Sequence, residues 1–184
     1  MKYRLLVVDV DGTLVDKNGF ISAEDEKALA KAAASGVKVS LSTGRVIKAC
    51  RRIIGQLSLD GYHIFFDGAL VSDPAQSKEV YVQPLKKMVV RRAVEFARLN
   101  DIYLELYSAE HFFAECENWS DEVHYRFFGV GPRIVDFSGI WERERIVKAE
   151  LVVHNQEERK KAELFQSKFN GCLRFSIARS PAYP

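Results

Sequence analysis

The chemistry available to this chain concentrates in two carboxylates near its start. Asp9 and Asp11 follow the apolar run Leu5-Leu6-Val7-Val8, are separated by Val10 alone, and lead into Gly12-Thr13-Leu14. Charged side chains are seldom left at the end of an apolar strand without a partner. A divalent cation is a natural partner for two carboxylates, because hard cations take oxygen ligands. With a phosphate as substrate the cation would also offset anion repulsion. One carboxylate could then attack phosphorus while the other manages a proton. Gly12 would let the chain turn sharply and bring backbone N–H groups near an anion. Turn formation is the plainer reading, Asp-Gly being a common turn pair. The whole run from Asp9 to Leu14, coming after four apolar residues, favours chemistry.

Further candidates sit at the ends of the next two apolar segments. Thr43-Gly44-Arg45 follows the second and Asp67-Gly68 the third. Arg45 could hold a phosphate bidentately, or stand as a surface guanidinium at a helix start. Ser42 reads as structural, while Asp67 ends a strand beside the others. His63, His111, His124 and His154 are scattered and form no ligand spacing. The aromatic stretch from Tyr103 to Phe128, with Trp119, Tyr125 and Phe127, reads as the core of a second unit; a substrate-contacting lid is the sharper alternative. Lys160-Lys161, with Glu157, Glu158 and Arg159, is a solvated helix face.

The elements that must position these residues are legible from periodicity. Leu5 to Val8, extended by Val10, reads as a strand covered on both faces. Ser22-Ala23-Glu24-Asp25 resembles a capping box with Asp in the usual Glu place, and an Ala/Lys/Glu-rich helix follows to Ser35, with Gly36 as its C-terminal glycine. Val37 to Leu41 is a second strand. Ile47, Cys50, Ile53 and Ile54 recur at helical spacing, and Tyr62 to Phe66 is a third strand. The β-α-β-α-β order argues for a parallel sheet with right-handed crossovers. Ligands bind at the C-terminal strand ends of such sheets, where the candidate residues fall.

The pattern changes near residue 70. Leu70 to Asp73 and Glu79 to Gln83 flank Pro74-Ala75-Gln76-Ser77-Lys78 as a hairpin, and Pro84 reads as the hinge into a second unit. Residues 86 to 100 are helical, with Met88, Val89, Val94, Phe96, Ala97 and Leu99 as the apolar face. Ile102 to Tyr107 alternates as a strand that His111 to Glu115 could pair. A short helix precedes the break at Gly129, Gly131 and Pro132. Val147 to Val153 reads as a strand, Glu157 to Phe169 as a helix and Leu173 to Ala178 as a last strand. This half is α+β with antiparallel sheets.

Composition narrows the class. The 184 residues are 47% hydrophobic and 28% charged, which excludes a disordered or collagen-like chain. Lys plus Arg (27) against Asp plus Glu (25) leaves +2, no electrostatic footprint for nucleic acid. Cys50, Cys116 and Cys172 form no C-x-x-C pair, so the expectation is three reduced, mostly buried thiols and neither a disulfide framework nor a zinc knuckle. Four apolar residues before Asp9 are too few for a signal-peptide core. No run approaches the ~20 apolar residues of a membrane span. A soluble cytoplasmic protein without a membrane partner is the expectation.

Asp9-Val10-Asp11-Gly12-Thr13-Leu14 resembles motif I of the haloacid dehalogenase-like superfamily of phosphatases and phosphotransferases. Ser42-Thr43-Gly44-Arg45 resembles the second motif of its Cof-type branch, subfamily IIB. Asp67-Gly68-Ala69 resembles the Asn-Gly-Ala after that branch's third strand, with Asp for Asn. The resemblance implies an α/β fold: a partial doubly wound parallel core over residues 1–83 and an α+β cap domain over 84–184. It implies Mg²⁺ on the Asp9 carboxylate and the Asp11 carbonyl, Asp9 as nucleophile and Asp11 as proton donor and acceptor. Thr43 with neighbouring backbone N–H groups, and Gly12, Gly44 and Arg45 beside it, would hold the phosphate of a small phosphorylated metabolite such as a sugar phosphate. The family's later Lys and its Gly-Asp-x-x-Asn-Asp run have no counterpart downstream of Asp67. The expectation is therefore a chain that lacks the C-terminal part of the core and is inactive by itself. Its Leu5 to Val10 strand would then be an open apolar edge, prone to self-association. Two alternatives stand: a phosphomannomutase-like phosphomutase, and a non-catalytic binding or regulatory protein with a degenerate site.

Overall fold

The computed structural model describes residues 3–73, 75 and 77–177, with backbone alone at 126–128. The expected turn residues Pro74 and Gln76, the side chains of Phe127 and Phe128, and residues 178–184 lie outside that description. The chain divides into two compact units: Met1–Gln83 with Arg126–Val130, and Pro84–Tyr125 with Gly131–Pro184.

The first unit alternates as the sequence predicts. It runs β1 (Leu5–Asp9), α1 (Ala23–Ala34), β2 (Lys38–Ser42), α2 (Ile47–Gln56), β3 (His63–Phe65), β4 (Leu70–Asp73) and β5 (Lys78–Val82). The strands form one sheet in sequence order, β1-β2-β3-β4-β5. The first three are parallel; β4 and β5 return antiparallel as the expected hairpin. α1 starts where its cap dictates. The Ser22 hydroxyl accepts the Asp25 N–H at 3.0 Å and donates to the Asp25 carboxylate at 2.7 Å. Gly36, at φ +83°, then ends it in the left-handed region. Val10, Leu14, Val15, Leu41 and Ile53 make the buried core under the sheet's tip.

β1 corrects one expectation. Its continuous apolar run by itself reads as covered on both faces, whereas the lack of the later family motifs points to an open apolar edge; Leu5, Leu6 and Val7 are 58%, 38% and 45% exposed, as at an open edge. Among the described residues β1 pairs with β2 alone, so one side of the strand meets no neighbour.

The second unit runs α3 (Lys87–Asn100), β6 (Leu104–Tyr107), β7 (Phe112–Ala114), α4 (Ser120–Phe128), β8 (Arg133–Ile134), α5 (Ile140–Arg143), β9 (Lys148–Leu151) and α6 (Gln156–Phe169). Its sheet order is β8-β7-β6-β9. β6 pairs antiparallel with β7 and β9, but β7 and β8 are parallel, so the sheet is mixed. α3 buries Val90, Ala93, Val94, Phe96 and Ala97, the i, i+3, i+4, i+7 stripe. Met88 and Leu99, expected on that face, point to solvent. Phe113, Phe137, Ile140, Ile146, Phe165 and Phe169 complete this core. Among the described residues the expected last strand does not form: Leu173 makes one isolated bridge with Asn170, and residues 174–177 are exposed coil. Alternation at Leu173, Phe175 and Ile177 is a local property, whereas a strand needs a neighbour to pair with. The thiols also differ from expectation. Cys50 is buried, and burial pushes its pKa up to about 12, but Cys116 and Cys172 are exposed. No helix among the described residues is long and apolar enough to cross a membrane.

Candidate active site

Three strand tips place the sequence candidates together. The parallel register sets Asp9 against Ser42 and Ser42 against Ile64, so β1, β2 and β3 end level with one another. Asp9 closes β1, Thr43 directly follows β2, and Asp67 comes two residues after β3.

The loop after β1 is pinned by its own backbone. The Val10 carbonyl accepts the N–H groups of Leu14 (3.0 Å) and Val15 (2.9 Å). Gly12 adopts φ +75°, which a side chain would strain. Its N–H donates to the Val15 carbonyl at 3.2 Å. The sequence reading expected backbone N–H groups here to face an anion; the Gly12 N–H is instead spent on closing the loop. The Asp9 carboxylate lies at this loop's mouth and accepts the Thr13 hydroxyl at 3.0 Å.

Asp11 has a cationic partner within the chain. The Arg45 guanidinium forks onto its two oxygens, Nε to Oδ2 at 2.9 Å and a terminal nitrogen to Oδ1 at 2.5 Å. The Arg45 side chain is 8% exposed, so it is not the surface guanidinium of the plainer reading. Arg45 leaves β2 through Thr43. The Thr43 hydroxyl accepts the Arg45 N–H at 3.1 Å, and the Thr43 N–H donates to the Ile64 carbonyl at 3.0 Å. Thr43 is buried, held between the tips of β2 and β3.

Asp67 comes closer to this cluster than the sequence indicates. Phe66 and Asp67 both adopt φ +52°, and Gly68 adopts +96°. Three successive positive φ values fold the chain back from β3 into β4. Strain of this kind gathers at functional sites. The Asp67 N–H donates to the Thr43 carbonyl at 3.1 Å. A Cβ on Gly44 would come within 2.9 Å of the Asp67 carboxylate. Gly44 is therefore glycine because Asp67 leans over it. Ser42 carries no side-chain bond that would move it beyond the structural role expected of it.

The second unit holds a polar cluster that sequence reasoning missed. Glu105, in the middle of β6, is fully buried. β6 is a central strand buried on both faces, so Glu105 is enclosed with Leu104 and Leu106. The Tyr107 hydroxyl donates to Glu105 Oε2, and the Ser120 hydroxyl reaches Oε1 at 3.4 Å. Burial pushes the Glu105 carboxyl up to about 8. His124, one of the scattered histidines, lies with Asp121 beside it on α4. The signal in the sequence for this cluster is the acidic residue inside an otherwise apolar strand, the same signal that exposed Asp9.

A family model for haloacid dehalogenase-like hydrolases matches residues 6–183. Among curated relatives, the Bacillus subtilis protein YxeH, provisionally named a phosphatase, is 34% identical over 114 residues, which is 60% of this chain and 40% of that protein. The chain spans about half the length, or less, of the first curated relatives it matches. A haloacid dehalogenase-like hydrolase from Bacteroides thetaiotaomicron shares the fold at TM-score 0.81 and 19% identity, over 99% of this chain and 69% of its own. A sugar phosphatase of haloacid dehalogenase subclass IIB does so at TM-score 0.70 and 20% identity, over 87% and 62%.

Proposed function

The chain belongs to the haloacid dehalogenase-like hydrolase family, and from that premise we propose that the whole protein is a Mg²⁺-dependent phosphatase of the Cof-type branch. Its substrate is a small phosphate monoester, a sugar phosphate or related metabolite, and the phosphoryl group passes through Asp9. The observation that carries this reading is the convergence of Asp9, Asp11, Thr43, Arg45 and Asp67 at the tips of three parallel strands.

The donors fit a hard cation. The Asp9 carboxylate and the Asp11 backbone carbonyl are both oxygens, as Mg²⁺ takes alongside several waters. When bound, Mg²⁺ offsets the negative charge gathered between the phosphoryl group and the carboxylates. The residues do the rest. An Asp9 oxygen attacks phosphorus and the ester oxygen leaves, taking a proton from the Asp11 carboxyl. A water then gives its proton to Asp11 and attacks the same phosphorus, which frees phosphate and restores Asp9. The Thr13 hydroxyl, bound to one Asp9 oxygen, orients the carboxylate so that the other faces the substrate. Both Asp11 oxygens are held in the Arg45 fork, so Asp11 must leave that fork to reach the ester oxygen. The arriving phosphoryl oxygens offer Arg45 the bidentate partner that draws it away. Positioning and charge dominate such transfers.

The test uses a mimic of the phosphorylated aspartate. Mg²⁺ with beryllium fluoride should raise the melting temperature of the chain, and Asp9→Asn should abolish the rise. A rise of equal size in Asp9→Asn would place the anion elsewhere and overturn the assignment.

A further inference from the structure

We propose that Glu105, Asp121 and His124 of the second unit form a binding site for one divalent transition metal of the zinc kind, separate from the carboxylates at the strand tips. One ligand atom from each of the three lies within 4.8 Å of the other two. Glu105 Oε1 and His124 Nδ1 are 3.6 Å apart. That is longer than a hydrogen bond. It matches two donors sharing an ion, which at about 2.0–2.2 Å per ligand sit roughly 3.3–3.6 Å apart in a tetrahedral shell.

The elements present these donors in a fixed arrangement. Asp121 and His124 are three apart on α4 and so share a helix face. Glu105 comes from β6, so an ion here ties the helix to the sheet. The Phe112 ring meets the imidazole edge-on at 5.1 Å and fixes its plane.

The surroundings have the features of a second coordination layer. Each carboxylate has a hydrogen-bond donor: Tyr107 donates to Glu105 Oε2, and the Asn118 N–H donates to Asp121 Oδ2 at 3.0 Å. Outer hydrogen bonds of this kind orient metal ligands. Glu105 and Asp121 lie near a third acid, Glu150, with which Lys148 pairs at 3.2 Å. Glu105 is fully buried, where an acid is normally paired or bound to metal. A nitrogen donor among the three sets this site apart from the all-oxygen shells of Mg²⁺ and Ca²⁺ and selects a transition metal. Three protein ligands leave one position open for water.

The site is tested with the metal alone. The chain is stripped with chelator, dialysed against Co²⁺ or Zn²⁺, and assayed for metal content and for the visible absorption of Co²⁺. The expected result is one equivalent of metal, intense tetrahedral Co²⁺ bands, and a melting temperature several degrees higher with Zn²⁺. His124→Ala, on the partly exposed helix, should keep the far-ultraviolet spectrum of the parent and lose at least tenfold in affinity. Glu105→Gln should do the same; where it fails to fold, His124→Ala decides alone. Asp9→Asn should bind Co²⁺ like the parent, which separates this site from the proposed phosphatase centre. No uptake by the parent, or equal uptake by His124→Ala, overturns the proposal.

Discussion

Arg45 and Asp11 are 34 residues apart, and their fork ties the loop after β1 to the start of α2. A double-mutant cycle with Arg45→Met and Asp11→Asn measures that tie. Two charge-assisted hydrogen bonds to a carboxylate would contribute about 1.5–3 kcal/mol if sheltered. Arg45 is sheltered, but the Asp11 side chain is 57% exposed, so water and salt screen the pair. The expected coupling is therefore about 1–2 kcal/mol. Arg45→Met alone should cost more than Asp11→Asn alone, since it also removes the buried guanidinium's contacts. Asp11→Asn leaves that buried cation with a weaker acceptor. The assay is urea unfolding of the four proteins followed by far-ultraviolet circular dichroism, at low salt and in 1 M NaCl. Coupling should fall in 1 M NaCl, where the screening length is about 3 Å. A coupling below about 0.3 kcal/mol at low salt, within the usual additivity error, would refute the fork as an energetic link.

Three further outcomes follow from the geometry. Gly12→Ala meets no atom within 4 Å, so its cost should be backbone strain at φ +75° alone, about 1–2 kcal/mol by urea unfolding; a neutral result would mean the loop conformation is not required. Ser22→Ala should cost about 1 kcal/mol through loss of the α1 cap, with the beryllium fluoride response intact. His63 is buried, and burial lowers its pKa below the usual 6.5 against the opposing pull of Asp73 and Asp60. The unfolded chain takes up a proton as pH falls through about 6.5 while the folded chain resists. Stability is thus full above that pH and declines below it, and His63→Leu should flatten this part of the stability-against-pH curve; an unchanged slope would remove His63 as its source.

The first unit was legible because its signals are local. A short apolar run ended by Asp9, a capping Ser22, a Gly36 stop and a second apolar run each declare themselves within a few residues. Their alternation leaves few topologies, and the ends of parallel strands then define where Asp9, Thr43 and Asp67 meet. What sequence could not supply was the identity of neighbours. Leu5 to Val7 have the composition of a covered strand, but cover depends on what stands beside β1. Leu173, Phe175 and Ile177 alternate correctly, yet among the described residues no strand pairs with them. Glu105 carries no sign in the sequence that Ser120 and His124 of α4 meet it. Arg45 reads as free to meet a phosphate, and only the folded loop puts Asp11 within its reach. The β8 and α5 segments escaped notice because two and four residues carry no measurable period.

The placement of Asp9 has a mechanical corollary. Among the described residues, the residue proposed to accept the phosphoryl group is mounted on the outermost rail of its sheet, braced from one flank by β2. Its backbone should tremble more than that of Thr43, which is clasped from two sides. Any polypeptide that lines up along the bare flank of β1 would stiffen the attacking carboxylate directly, so assembly at that flank and turnover at its tip would rise and fall together.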